Sequence, residues 1–183
     1  MVTMLYGCTQ TLEEHYPSGR IKARMEVNDK GVLHGKGTYY HESGAVSSEG
    51  EFVNGLKSGP WKWYDSTGTL YMTGSFTAGT ESGIFKEFYP NDSLHQIAVF
   101  KEGKMDGVAR LYRPDGSTES VVTYRTGLQH DTSWFYYPNG VLSMLSIHRN
   151  DTLIKYTKYD SLGGWWREFI LFPDSADLDG LGL

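Results

Sequence analysis

The chain has 183 residues, 22 of them glycine, with 13 tyrosines, 8 phenylalanines, 5 tryptophans and a formal net charge of -5. Glycine for turns and aromatics for pleated surfaces is the composition of a hairpin-rich β protein, and so many rings exclude a glycine-rich disordered chain. The mixed charges form no basic stripe to neutralise phosphates, no apolar stretch approaches the ~18 residues of a membrane-crossing helix, and the single cysteine, Cys8, excludes an internal disulfide framework.

Residues 1–14 carry no repeat signal and are expected to form an N-terminal tail. Within it, Leu5-Tyr6-Gly7-Cys8 resembles a bacterial lipobox, with an aliphatic residue and a small residue ahead of a cysteine to be lipidated. A secretory signal needs a positive start and about 7–15 apolar residues, so this stretch looks like the end of a longer signal whose start lies upstream. Localisation follows Cys8: cytoplasmic if it is an ordinary thiol, a membrane-anchored lipoprotein if it is acylated.

Residues 15–172 repeat. Tyr16, Tyr40, Tyr64, Tyr89, Tyr112, Tyr137 and Tyr159 follow one another at 24, 24, 25, 23, 25 and 22 residues. Three or four positions after each stands Gly19, Gly44, Gly68, Ser93, Gly116, Gly140 or Gly163. Between them lie turn formers such as Pro17-Ser18, Pro114-Asp115 and Pro138-Asn139. Proline presets φ for the first corner and glycine supplies the positive φ that closes a hairpin, so Gly19, Gly44, Gly68, Gly116 and Gly140 are expected turn residues.

After each turn the side chains alternate with period two, as in Leu70, Met72, Gly74 and Phe76 against Thr69, Tyr71, Thr73 and Ser75. Val27, Phe52, Phe76, Tyr124 and His148 stand eight residues beyond their turn glycine, with Phe100 one position early. A second turn is expected at Gly31, Gly55, Gly79, Gly103 and Gly127, each followed four residues later by Gly35, Gly59, Gly83, Gly107 or Asp131. A short aromatic strand then leads to the next tyrosine. The pattern predicts an all-β fold: about seven tandem hairpin units of about 24 residues forming an elongated, twisted antiparallel meander. Residues 173–183 lapse into an acidic, glycine-containing tail.

Segments 50–61 and 74–85 share the form G-x-F-x-x-G-x-x-x-G-x-aromatic, from Gly50 to Trp61 and from Gly74 to Phe85. That form resembles the MORN repeat. The additional Tyr-x-x-x-Gly turn ahead of it is similar to the variant found in bacterial YwqK-type antitoxins of toxin–antitoxin systems. The resemblance covers about residues 15–169 and implies a sheet that acts as a binding surface, with a toxin-like protein as the partner. It departs from the strict final G-x-G of the family except at Gly35 and Gly37.

No residue set calls for catalysis, a metal or a cofactor. The six histidines lie in different repeats at no ligand spacing. Ser175, Asp177 and Asp179 match the start of a calcium loop, but the sequence offers no glutamate at the twelfth position. No serine or Cys8 has a base at a diagnostic spacing. The expected function is therefore that of a non-catalytic, antitoxin- or immunity-like scaffold that occludes a protein partner; the alternative is a lipid-anchored envelope protein, touching membrane only through Cys8. Nucleic acid is not an expected partner. The candidate contact residues are Trp61, Trp63, Phe85, Phe88, Trp134 and Tyr136, whose recurrence places them side by side either as a stacked core or as an accessible row.

Overall fold

Period-two alternation between closely spaced turn signals makes strands, and seventeen of them occupy residues 10–170, the span that the computed structural model describes. No helix occurs among the described residues. The chain divides into two units, Met1–Lys104 and Met105–Leu183. The first contains β1 (Gln10–His15), β2 (Ile21–Val27), β3 (Leu33–Tyr40), β4 (Val46–Val53), β5 (Leu56–Tyr64), β6 (Leu70–Thr77), β7 (Thr80–Glu81), β8 (Gly83–Phe88) and β9 (Leu94–Lys101). The two-residue β10 (Lys104–Met105) is followed in the second unit by β11 (Gly107–Tyr112), β12 (Thr118–Arg125), β13 (Leu128–Gln129), β14 (Asp131–Tyr136), β15 (Leu142–Arg149), β16 (Thr152–Tyr159) and β17 (Trp165–Ile170). Within each unit successive strands pair antiparallel, which is the expected meander of hairpins.

Two kinds of turn occur, alternating from Gly44 onward, while Gly31, grouped by sequence with Gly55, closes a turn of the first kind between Asn28 and Val32. The first spans three residues and closes on a left-handed one: Gly19, Gly44, Gly68, Gly116 and Gly140 have φ of 83°, 95°, 89°, 82° and 81°. A register shift beside each marks the bulge that accompanies such a loop. The second is a two-residue tip with both residues at positive φ, the arrangement that matches strand twist. Asn54-Gly55, Ala78-Gly79, Glu102-Gly103, Thr126-Gly127 and Asn150-Asp151 all take it.

The tips also bind backwards. The N–H of Gly55 donates to the carbonyl of Leu33, Gly79 to Lys57, Gly103 to Glu81, Gly127 to Met105 and Asp151 to Gln129, at 2.8–3.0 Å. Each bond therefore joins a tip to the backbone 22 residues earlier, just past the previous tip or loop. Asp151 keeps it because only its backbone is needed, and its carboxylate additionally accepts the N–H of Gln129 at 2.6 Å.

Four expectations are corrected. Residues 10–14, assigned to the N-terminal tail, form most of β1, an exposed edge strand whose Glu13 and Glu14 pair with Arg24 and Lys22 of β2. The tyrosines do not occupy one repeat position. The residues that open the turns are Tyr16, His41, Asp65, Tyr89, Arg113, Tyr137 and Asp160, at spacings of 25, 24, 24, 24, 24 and 23. The left-handed residue of the fourth turn is Asp92 at φ 63°, not Ser93, which returns Phe100 to its place eight residues on. Finally, Gly35, Gly59, Gly83 and Gly107 lie within or beside strands rather than at turn tips, at φ from 66° to 127°, with Asp131 at 60°. The tail at 173–183 lies outside the described residues.

Glycine acts differently on the sheet face. A Cβ on Gly50 would lie 2.4 Å from the Trp61 ring, one on Gly74 2.2 Å from Phe85 and one on Gly37 2.4 Å from Phe52. These are seats for rings. Gly68, by contrast, has open space around it and needs glycine only for its φ of 89°. Both Gly74→Ala and Gly68→Ala are expected to destabilise, by about 1–3 kcal/mol and about 1–2 kcal/mol. In denaturant unfolding, Phe85→Leu should recover part of the first loss through a coupling of about 1 kcal/mol and none of the second.

Candidate functional site

In the first unit the cross-strand register sets rings and small residues opposite one another on one face: Gly35 against Phe52, Gly59 against Phe76, Trp61 against Gly74 and Phe85 against Ala98. The rings lean over the glycine seats and meet. Phe52, Phe76 and Trp63 lie 5.3, 6.1 and 6.2 Å from Trp61, and Phe85 lies 5.9 Å from Phe76 and 4.7 Å from Phe100. Lys57 closes the row, its Nζ 4.1 Å above Trp61 and 5.1 Å from Phe76. Burial holds that ammonium below the usual lysine range, with Glu81 acting the other way. Trp61 is consequently 0% exposed. It is core rather than a contact residue, so its place in an accessible aromatic row is withdrawn.

The other face of this unit is open. Lys36 and Glu49 form an ion pair at 3.2 Å, and Tyr64 donates to the same carboxylate at 2.8 Å. The hydrogen bonds from Tyr64 and Lys36 hold the Glu49 carboxyl below its usual range. Further along, Ile84 stands directly opposite Val99 across β8 and β9, and the two are 53% and 36% exposed.

The second unit keeps the register and changes its occupants. On the face that corresponds by repeat to the aromatic one, Ala109 opposes Val122 and Ser133 opposes Ser146. At the 24-residue period the ring positions run Trp61, Phe85, Ala109, Ser133. Ser133 and Ser146 are 0% and 1% exposed, and their Oγ atoms, like His148 Nδ1, are buried without a hydrogen-bond partner among the described residues. Beside them β16 contributes Tyr156, opposite Ser146, and Lys158, opposite Met144.

The six candidate contact residues therefore do not share a face. Trp61, Trp63 and Phe85 belong to the aromatic core of the first unit. Trp134 alternates with Ser133 and Phe135, so it projects to the opposite side, with Val121 and Leu145 across from it. Phe88 and Tyr136 sit half-buried beside turn bulges, opposite Leu94 and Leu142. The carbonyl of Tyr136 accepts a bond from Arg113. Cys8 lies outside the described residues. Sequence reading missed Ile84, Val99, Ser133 and Ser146. Ser133 was accessible to it as the step from aromatic to small along the 24-residue period.

The model of the MORN repeat variant matches residues 33–54, 57–78 and 81–102, and that of the MORN repeat matches 49–60 and 99–118. The chain is thus a repeat scaffold similar to MORN-repeat proteins across those stretches. No curated protein matches it. A crystal structure of a protein of unknown function from Bacteroides fragilis NCTC 9343 aligns with 90% of this chain and 94% of that one, at 12% identity and a TM-score of 0.15.

Burial holds the His148 imidazole below its ordinary value of 6.5, while Asp151 pulls the other way. The unfolded chain then binds a proton at a pH where the folded chain does not. Stability is full above pH 6.5 and is lost as pH falls through the folded-state value. Denaturant melts between about pH 8 and pH 5 are expected to show that loss, and His148→Gln, which does not titrate, to reduce it.

Proposed function

We propose that the chain is a non-catalytic protein-binding scaffold that works in the manner of an antitoxin or immunity protein, covering a functional surface of a protein partner. The observation that carries this reading is the contrast between the two faces of the first unit. One closes on its own rings, down to a fully buried Trp61, and the other presents Ile84 and Val99 side by side and exposed. An exposed apolar pair with charged neighbours has the make-up of an interface centre with a polar rim. Lys36, Glu49, Glu51 and Lys62, which border a shallow hollow together with Pro60, supply such charges. A partner covering about 800 Å² would reach both the pair and those charges. Resemblance to repeats of the YwqK-type antitoxins supports the same reading. Binding there needs no chemistry from this chain; the partner is inactivated because its surface is covered.

A photo-crosslinking amino acid at position 84 is expected to capture one partner in cells, and the same group at exposed Ser66 to capture none. Ile84→Lys should leave stability within about 0.5 kcal/mol and weaken the captured complex by about 1–2 kcal/mol. Equal capture from both positions, or a complex indifferent to Ile84→Lys, would defeat the proposal.

A further inference from the structure

The second unit has a cavity of about 290 Å³ that the protein-partner face does not involve. Phe135, Met144, Leu153 and Tyr156 make its apolar walls, and Ser146 and His148 lie in its floor. Three properties of the cavity specify an occupant.

The first is shape. In the first unit the volume over the sheet is filled by rings from the protein itself, Trp61 over Gly50 and Phe85 over Gly74. In the second unit Ser133 brings no ring to the face, and the ring beside Ser146 comes from Tyr156, across from it on β16. Tyr156 lies flat against Phe169, with centroids 4.5 Å apart, and provides a stacking wall. A planar ring suits such a space.

The second is the floor. Buried polar groups are almost always hydrogen-bonded, yet Ser146 Oγ, His148 Nδ1 and Ser133 Oγ directly across the strand pair are not. Ser146 and His148 are two residues apart on β15, so their side chains project from the same face. A neutral imidazole protonated at Nε2 leaves Nδ1 as an acceptor, and the serine hydroxyl can donate. A phenolic hydroxyl satisfies both, donating to His148 and accepting from Ser146.

The third is charge. The lining includes one cation, Lys158, and no carboxylate. Lys158 lies across from Met144, one step along the face from the pair formed by Ser146 and Tyr156. Diagonal neighbours on a sheet are about 7–8 Å apart, close to the span of a benzene ring bearing polar groups at opposite ends.

We propose that this cavity binds a small aromatic acid with a ring hydroxyl opposite its carboxylate, the hydroxyl seated on Ser146 and His148 and the carboxylate at Lys158. The volume lies at the small end of the ligand-pocket range and accepts a molecule of about ten non-hydrogen atoms.

The test is calorimetric titration of the full chain with 4-hydroxybenzoate, benzoate and phenol. Saturable binding of 4-hydroxybenzoate is expected, about tenfold tighter than either probe that lacks one polar end. Ser146→Val should abolish the advantage over benzoate, and Lys158→Met the advantage over phenol. Lys158 stands at the margin, so its variant keeps the test decisive if a floor variant fails to fold. Absence of saturable binding by all three probes up to about 10 mM, or affinities unchanged by both Ser146→Val and Lys158→Met, would overturn the proposal.

Discussion

Everything in the first unit depends on rings lying across the neighbouring strand instead of standing upright on their own. A single sheet has no second layer to cover it, and burial of a tryptophan normally needs one. Here the backbone is the cover. Removing one Cβ at Gly50 lets the Trp61 indole lie within 2.4 Å of where that carbon would have been, and the flanking rings and Lys57 close the rest. The outcome is 0% exposure for Trp61, whose loss to alanine would typically cost about 3–5 kcal/mol. Repetition follows from the same contact. Gly50 seats Trp61 and Gly74 seats Phe85, each glycine lying on the preceding long strand of the same 24-residue motif.

This explains why the two faces differ in what they can offer a partner. Rings consumed by the core are unavailable for recognition, and a contact row drawn from Trp61, Trp63 and Phe85 would have to dismantle it. The opposite face has no such duty, and there Ile84 and Val99 remain exposed. The second unit relaxes the rule by placing serine where rings stood. It buries Ser133 and Ser146 in the middle of its sheet and leaves polar floor where the first unit has none.

The repeat and its turns were legible because glycine and proline act locally: φ is a property of one residue, and Gly19, Gly44, Gly68, Gly116 and Gly140 show it without tertiary help. The exact repeat phase was less legible. Tyrosine marks two adjacent positions, the turn-opening residue in Tyr16 and Tyr137 and the residue before it in Tyr40 and Tyr64. At the opening position the side chain has a task that different chemistries perform. Tyr16 donates to the carbonyl of Tyr40 at 2.7 Å, His41 meets that of Tyr64 at 2.9 Å, Arg113 reaches Tyr136, and Tyr137 donates to Tyr159 at 2.9 Å. A hydroxyl, an imidazole and a guanidinium share no letter in a sequence, so the ladder they form is invisible there. The side chosen by each aromatic was hidden for another reason. Bulges change strand parity, and Trp134 falls one residue out of step with the ring positions of the first unit.

The backward bonds of the tips give the scaffold a direction. Gly55, Gly79 and Gly103 in the first unit, and Gly127 and Asp151 in the second, each donate to a carbonyl that precedes them in the chain by nearly one repeat. On the opposite edge the side chains of Tyr16, His41, Arg113 and Tyr137 reach forwards to a carbonyl that comes later. A hairpin leaving the ribosome can therefore secure its tip at once on backbone already made, while the forward bond waits until the next repeat has been synthesised. Within each unit the order of synthesis is also an order in which hairpins can lock, one after another, and the newest hairpin at any moment is held by one edge alone.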